Sequence, residues 1–416
     1  MGSGLVFCAK WGHASFSSQK YKKNIFHEYE NKEGKMKTKS KLVFVIGTLI
    51  GIFFIILIIS QLSSALEPRL LWKKKLPQQI YAAKVAAESG DIIVNMNREQ
   101  IFKFDRKGNT TAQEGPNLER IFHDVDIASN GEVYTYVSTM KMEYALERNI
   151  DPEKDGYDDR VHYCQKGGKE IWNKRIVWDE EVQPFLSPDG QAVLAVLSDG
   201  RSVLINTEGK VYKLKEKFNW GYTLFSPDSS HFAIGRWYWI TLLDRNGNIV
   251  WEKGSPQDLA GPPLSISENA RYFSVYPCEY DESTFHNGKV YDKSGNLAFD
   301  KLGILSGDGK RIILIEESKI KILALPDQNI LREYPVKIID VPEKETIYPA
   351  ISYNGRHIAV FGKDNSSKSN FFVFDVDSNT SWSTLIDHDV QGLYITRDGK
   401  YLLVVTNNSL FYYQLF

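Results

Sequence analysis

The sequence has few cysteines, almost no net charge and none of the common catalytic motifs. Its 416 residues include three cysteines, Cys8, Cys164 and Cys278, which are too few for a disulfide framework. We expect them to be free. The Gly-x-Ser-x-Gly nucleophile elbow, the His-Glu-x-x-His zinc motif and the phosphate-binding Gly-x-x-x-x-Gly-Lys are absent. These absences argue against enzymes of those classes and leave other enzymes open.

The formal net charge of −1 conceals two regions of opposite sign. Residues 1–41 contain nine lysines and three glutamates, so that 42 basic and 49 acidic residues remain for the rest of the chain. Nucleic-acid binding requires a basic surface on the folded domain. We therefore expect no nucleic-acid partner.

Residues 1–41 are polar and rich in lysine, serine and glycine, which predicts a disordered basic tail. Met36 precedes a lysine-rich stretch, as the first residue of a bacterial export signal usually does, so residues before Met36 are either translated or lie upstream of the true start. The apolar run 42–59 predicts a transmembrane signal-anchor helix over residues 42–62. The preceding lysines favour a cytoplasmic N-terminus and an extracytoplasmic remainder. The alternative is cleavage near Ala65 and secretion.

A turn rich in Ser, Asp, Asn and Gly recurs about every forty residues, the usual length of one propeller blade. Each turn follows an apolar strand, and Asp, Asn and Gly favour such bends. The eight turns are Ser89-Gly90, Ser129–Gly131, Ser187–Gly190, Ser226–Ser229, Ser267–Ala270, Ser306–Gly309, Ser352–Gly355 and Thr396–Gly399. The sequence therefore predicts an all-β, eight-bladed β-propeller, with seven blades as the alternative, preceded by one transmembrane helix.

The last repeat lacks its fourth strand. After Gly399 the pattern predicts strands over 401–406 and 410–415, and then the chain ends. Residues 70–74, Leu-Leu-Trp-Lys-Lys, match the fourth strand of an internal repeat at 249–253, Ile-Val-Trp-Glu-Lys. We therefore expect a propeller over 66–416 that is closed by residues 70–74, paired antiparallel with 410–413.

The spacing Asp-x-x-Gly-x-x-x-Trp from Asp244 to Trp251 resembles the repeat of quinoprotein-like propellers. These include the pyrroloquinoline-quinone alcohol dehydrogenases and the lipoprotein of the barrel-assembly machinery. The Ser-Pro-Asp-Gly turns are similar to those of WD-repeat and TolB-type propellers. The resemblance implies the fold and repeated aromatic packing between blades. Quinoprotein dehydrogenases also carry a vicinal cysteine pair, which is absent here, so no quinone cofactor is expected.

Residues 151–159 form an acidic loop with a glycine at its sixth position, within an insertion at residues 140–159. The loop is similar to the calcium loops of integrin α-subunit propellers. That resemblance implies Asp151, Glu153, Asp155 and Asp159 as ligands, with Tyr157 through its carbonyl. It departs from that pattern at Glu153. It also has His162 where an EF-hand has its bidentate glutamate. The alternative is a solvated acidic loop without metal.

Aromatic and ionisable residues gather in the connections that should surround one mouth of the channel. They are His123, Trp178, Trp220, Trp237, Trp239 and His388. They predict a ligand-binding face, although residues of these types also pack in cores. The leading hypothesis is a membrane-anchored, extracytoplasmic binding or scaffold module for a protein, peptide or glycan. The alternative is an extracytoplasmic hydrolase or lyase with an active site at the channel mouth.

Overall fold

The computed structural model divides the chain into two compact units, Met1–Leu66 and Glu67–Phe416. It describes residues 48, 50–54, 67–148, 157–178, 182–197, 201–214, 222–236, 239–254, 263–275, 288–301, 303–316, 319–338, 349–363, 369–386 and 390–415. In the first unit, the described residues are helical. No helix among the described residues is long and apolar enough to cross a membrane. Most of the predicted span 42–62 lies outside them.

The second unit is built from eight antiparallel sheets, as far as the described residues extend. The N-terminal strand is β1 (Arg69–Lys75). Blades 1 and 2 contain β2 (Ile80–Val85), β3 (Ile92–Met96), β4 (Gln100–Phe104) and β5 (Thr110–Glu114), then β6 (Arg120–Ile127), β7 (Val133–Met140), β8 (Tyr157–Gln165) and β9 (Glu170–Trp178). Blades 3 and 4 contain β10 (Val182–Leu186), β11 (Ala192–Leu197), β12 (Ser202–Asn206) and β13 (Val211–Lys213), then β14 (Tyr222–Phe225), β15 (His231–Arg236), β16 (Trp239–Asp244) and β17 (Ile249–Gly254).

Blades 5 and 6 contain β18 (Pro263–Ile266), β19 (Tyr272–Val275), β20 (Lys289–Asp292) and β21 (Leu297–Phe299), then β22 (Gly303–Leu305), β23 (Arg311–Ile315), β24 (Ile320–Ala324) and β25 (Ile330–Tyr334). In blade 7 the innermost strand is split into β26 (Lys337–Ile338) and β27 (Ala350–Ile351), both paired with β28 (His357–Lys363) and followed by β29 (Ser369–Asp375) and β30 (Thr380–Leu385). Blade 8 contains β31 (Val390–Ile395), β32 (Tyr401–Thr406), β33 (Ser409–Gln414) and β1. The short helix α1 (Met142–Glu147) follows β7, and a 3-10 turn spans Glu268–Ala270.

Strand β1 supplies the outer strand of blade 8. It pairs antiparallel with β33, so that Leu70 faces Tyr413, Trp72 faces Tyr412 and Lys74 faces Leu410. This is the pairing that the sequence predicted for residues 70–74. The first and last strands of the unit therefore share one sheet, and the eight-bladed prediction is confirmed over the seven-bladed alternative.

A separate apolar core fills each junction between neighbouring blades. Eight buried clusters lie between blades 1 and 2, 2 and 3, and so on around to 8 and 1. At the last junction, Ile92 and Val94 of blade 1 pack with Leu403 and Val405 of blade 8. Because burying apolar area is the main stabilising term in folding, this chain of contacts is what holds the blades in a closed ring.

Tryptophans on outer strands dock on the next blade. Trp72 stacks on Tyr412 and donates its Nε1–H to the Arg106 carbonyl at 2.9 Å. Trp172 stacks on Tyr163 and donates to the Thr207 carbonyl at 3.0 Å. The expected packing of repeated aromatics between sheets is confirmed at these positions.

The eight recurring turns also bond to one another around one mouth of the ring. Each links to the turn of the next blade: Glu88 N–H to Ser129 O, Ser129 N–H to Pro188 O, Asp189 N–H to Ser229 Oγ, Asn269 N–H to Asp228 Oδ2, Glu268 N–H to Gly307 O, Asp308 N–H to Tyr353 O, Tyr353 N–H to Arg397 O and Arg397 N–H to Ala87 O. We call this side the turn face. The loop face is the opposite side, where blades are joined to one another and second strands are joined to third strands.

Candidate binding face

The loop face carries the predicted ligand-binding residues, and the structure places two of their side chains. His123 lies in β6 at a bulge between Phe122 and Val125, and its side chain is buried. Its backbone carbonyl accepts a hydrogen bond from the Asn95 side chain. Trp178 ends β9, and its side chain is not described; Trp220, Trp237 and His388 lie outside the described residues.

Trp239 is 46 % exposed at the loop-face end of β16. It faces Gly254 across the β16–β17 pair, and a Cβ atom at Gly254 would overlap the indole ring. The glycine thus lets the ring lie directly against the neighbouring strand. Trp239 therefore presents a large apolar surface in a fixed position, as tryptophans in binding sites do.

The predicted calcium loop is only partly placed. Asp151, Glu153 and Asp155 lie outside the described residues, and Tyr157 begins β8. Asp159 is buried in β8, where its Oδ1 accepts a hydrogen bond from Thr139 Oγ1 at 2.5 Å. The described residues contain no cluster of three His, Cys, Asp or Glu side chains suited to a metal ion. The calcium site stays a prediction.

Blade 2 extends further on the loop face than blade 1 does. Its strands contain eight, eight, nine and nine residues, whereas those of blade 1 contain six, five, five and five. Because the turn-face ends are aligned by the bonded turns, the surplus of two to four residues per strand projects on the loop face by about 7–13 Å. We call residues 117–121, 138–148, 157–162 and 173–178 the blade 2 extension.

A buried carboxylate organises the extension. The Asp158 side chain is 6 % exposed and is contacted by three guanidinium groups. Arg120 Nη1 lies 2.8 Å from Oδ2, Arg160 Nε lies 3.4 Å from Oδ2, and Arg175 Nε lies 2.9 Å from Oδ1. Burial opposes ionisation, but Arg120 and Arg160 outweigh it and hold the pKa of Asp158 below its usual value. The carboxylate is therefore charged and lies at the centre of three arginine side chains.

A second network of polar side chains lies beside the Asp158 network. Ser138 Oγ is 2.7 Å from His162 Nε2, and His162 Nδ1 is 2.6 Å from Glu170 Oε2. This is the order of contacts in a serine-hydrolase triad. However, Ser138 is fully buried, and its Oγ also accepts a hydrogen bond from Arg120 Nε at 2.8 Å. A substrate cannot reach a buried hydroxyl, so these side chains stabilise the extension.

Burial lowers the pKa of His162, and the contact with Glu170 only partly opposes that shift. A neutral imidazole fits both contacts, with a proton on Nδ1 donated to Glu170 and Nε2 accepting from Ser138. The ring also stacks on Tyr136 at 4.4 Å. These contacts make His162 a rigid internal support.

Ionisable residues also occur on the inner strands, where the hydrolase alternative placed its site. Asp126 of β6 accepts the Leu186 N–H of blade 3 at 2.8 Å. Burial raises the pKa of Asp126, and the positive charge of Lys84 on β2 opposes that shift. The Asp126 carboxylate thus ties two inner strands together, which is a structural role.

Sequence reasoning missed the Asp158 network. Arg120 and Asp158 are separated by 38 residues and lie on strands that are not adjacent in the sheet. One signal was available: Asp158, Arg160 and His162 alternate along β8, so their side chains share one sheet face.

The chain shares its fold with solved β-propellers. No protein-family model and no curated protein matches it. The C-terminal WD40 domain of Sif2 is 10 % identical, with 84 % of this chain and 98 % of that chain covered and a TM-score of 0.56. BamB from Moraxella catarrhalis is 14 % identical, with 84 % and 98 % covered and a TM-score of 0.54. Likeness at this low identity establishes the β-propeller fold alone.

Proposed function

We propose that the ring is a membrane-anchored, extracytoplasmic scaffold that binds a protein, peptide or glycan partner on its loop face. The apolar run at residues 42–59 and the lysines before it support the anchored topology. The propeller fold suits a binding role, because its connections present side chains from several blades on one surface.

The observation that carries the proposal is the distribution of exposed apolar side chains on the ring. Among the described residues of the second unit, the exposed large apolar side chains fall into two groups. One group lies along the outer strands: Leu70, Leu71, Ile171, Val211, Tyr212, Ile249, Val250, Leu297, Ile330 and Leu385. The other lies on the loop face away from the outer strands: Tyr81, Leu118, Met142, Leu146 and Trp239.

The turn face differs in character. Its contacts include the ion pairs Arg245–Asp189 and Arg397–Glu88. Among the described residues, the large apolar side chains that are exposed away from the outer strands all lie on the loop face. The loop face is therefore the side on which we expect the partner.

Topology is tested by thiol labelling of intact cells. Leu118 is 74 % exposed on the loop face, so a Leu118→Cys variant offers an accessible thiol on the ring. With Cys8 and Cys278 replaced by serine, a membrane-impermeant maleimide should label Leu118→Cys before lysis and a separate Ser40→Cys variant, which both possible starts retain, only after lysis. Labelling of Ser40→Cys in intact cells, with Leu118→Cys protected, would reverse the proposed orientation.

Binding is tested by comparing variants of the two faces. Trp239→Ala and Met142→Asp change the loop face, whereas Arg245→Ala changes the turn face. Partners recovered with the full-length wild-type chain should be lost with both loop-face variants and retained with Arg245→Ala. Loss confined to Arg245→Ala would contradict the assignment of the face.

A further inference from the structure

We propose that Arg160 and Arg175 on the blade 2 extension bind carboxylate groups of an acidic, partly apolar segment of a protein partner. This inference rests on the proposed binding function and names the chemistry of the partner. It follows from the charge arrangement of the extension.

Arg160 and Arg175 face each other directly across the β8–β9 pair. Like charges in directly opposite positions on neighbouring strands repel each other and destabilise the pair. Asp158 relieves part of this repulsion by contacting both guanidinium groups, at 3.4 Å and 2.9 Å. Its charge is shared with Arg120 as well. Asp158 therefore contacts three cations, and Glu170 is a second carboxylate near the pair, because the positive charge of Arg160 helps to lower the pKa of Glu170.

The third arginine differs from the other two because its donors are used internally. Arg120 is 12 % exposed, and it donates to Ser138 Oγ, the Ser138 carbonyl and Asp158. Arg160 and Arg175 are 37 % and 43 % exposed. Arg160 makes one further contact, to Asn173 Oδ1 at 3.0 Å. The side chains of Arg160 and Arg175 are therefore the two of the three that remain partly open to solvent among the described residues.

Two guanidinium groups held at one spot suit carboxylate recognition. Each presents planar N–H donors that match the two oxygens of a carboxylate. The Asp158 carboxylate lies within 3.4 Å of both Nε atoms, which restrains the two side chains and lowers the entropy that they lose when a ligand binds the exposed side. Both guanidinium groups keep a solvent-exposed side, 37 % and 43 % of each side chain, that can meet a further anionic group.

Apolar side chains lie on the same extension. Met142 and Leu146 are exposed one turn apart on α1. The helix is tied to the connection between β5 and β6 by two contacts with Glu119. These are the Arg148–Glu119 ion pair at 2.8 Å and the hydrogen bond from Lys141 N–H to Glu119 O, and Leu118 is the residue next to Glu119. A partner that covers both parts must combine acidic and apolar side chains.

The charge of the whole chain favours a protein segment over a polyanion. Outside the N-terminal tail, acidic residues outnumber basic ones by 49 to 42. A nucleic acid or another long polyanion would be repelled by the surrounding surface, whereas a short acidic segment can meet the arginine pair alone. The cationic spot therefore provides specificity for a local acidic group.

The test uses the full-length chain and a short fluorescein-labelled peptide of alternating glutamate and leucine. A matched peptide carries glutamine in place of glutamate. Inorganic phosphate is added as a competitor to test whether any small anion displaces the glutamate peptide. Fluorescence anisotropy should show the glutamate peptide bound about tenfold more tightly than the glutamine peptide, a ratio that corresponds to about 1.4 kcal/mol. Raised salt should shrink this ratio.

Two variants locate the effect. Arg160→Gln combined with Arg175→Gln should remove the preference for glutamate. Lys169→Gln removes the same charge from an exposed position at the other end of blade 2 and should leave the preference intact. If the double variant is unfolded, the preference is measured with Arg175→Gln alone, because Asp158 keeps its contacts with Arg120 and Arg160 in that variant. Equal binding of both peptides, or an unchanged preference in a folded arginine variant, overturns the inference.

The outcome is separable from that of the proposed function. Partner recovery that depends on Trp239 but is indifferent to Arg160 and Arg175 would retain the loop-face module and reject the acidic partner. Displacement of the glutamate peptide by inorganic phosphate at equal concentration would also reject it, since a general anion site would then explain the binding.

Discussion

Closure of the ring by β1 makes Trp72 the most informative residue for a stability experiment. Its indole stacks on Tyr412 with centroids 5.2 Å apart, donates to the Arg106 carbonyl at 2.9 Å and packs against Gly108. The stacking contributes about 1 kcal/mol, and the hydrogen bond contributes about 1 kcal/mol. Because the side chain is half-buried, its apolar contacts add about 1 kcal/mol.

Trp72→Ala should therefore lower the free energy of unfolding by about 3 kcal/mol. With an unfolding entropy of about 2.1 cal/mol/K per residue, the unit Glu67–Phe416 should melt about 4 °C lower. The matched control is Trp172→Ala, which loses an equivalent stack and hydrogen bond at the junction of blades 2 and 3.

The two variants should differ in where the structure opens. Strand β9 is joined to its neighbour β8 by a short hairpin turn. Strands β1 and β33, in contrast, are the first and last strands of the unit and are separated by almost its whole sequence. Closing a long loop costs more chain entropy. Hydrogen exchange should thus speed up across Ser409–Gln414 in Trp72→Ala, beyond any change that Trp172→Ala causes in β8. A fragment 77–416 as stable as 67–416 would refute the closing role of β1.

Three further predictions concern other sites. Gly307→Ala should destabilise the ring by about 1–3 kcal/mol, because a Cβ would overlap the ring of Tyr353, whereas Gly167→Ala meets no atom and should be neutral in the same thermal melt. Burial opposes ionisation of Asp375, but Arg356 outweighs burial and lowers the pKa of Asp375 to about 2. The ionised Asp375 therefore stabilises the fold fully above the usual carboxyl pKa of 3.8, and this stabilisation is lost as the pH falls through about 2. Asp375→Asn should therefore reduce the loss of unfolding free energy at acid pH. An unchanged acid dependence would show that Asp375 does not contribute in this way. Calcium at one hundred times its dissociation constant should stabilise the wild type by about 2.7 kcal/mol and leave Asp155→Ala unaffected, whereas equal melting temperatures with calcium and with chelator would exclude the site.

The fold was largely predictable because its signals are local and repeated. Turns such as Ser187–Gly190 need residues that tolerate a tight bend, and Gly190 has a φ of 73°. Trp72 marked residues 70–74 as an outer strand through its likeness to Trp251. Both signals depend on a few neighbouring residues, so they can be read along the chain.

The candidate site was much less predictable because its contacts join distant residues. Nothing near Arg120 in the sequence indicates that it will meet Asp158, which lies two strands away in the same sheet. The burial of His123 depends on the bulge in β6, which the alternation of side chains does not reveal. The division of the inner strand of blade 7 into β26 and β27 was also not predicted, because it is defined by how both strands pair with β28.

Site-specific photocrosslinking in cells tests the central claim, that the loop face is the binding face. A photoreactive residue is placed at Trp239 on the loop face or, as a control in the same blade, at the exposed Asn246 on the turn face. We expect a discrete crosslinked partner from position 239 and none from position 246. Adducts from position 246 with none from position 239 would contradict the claim.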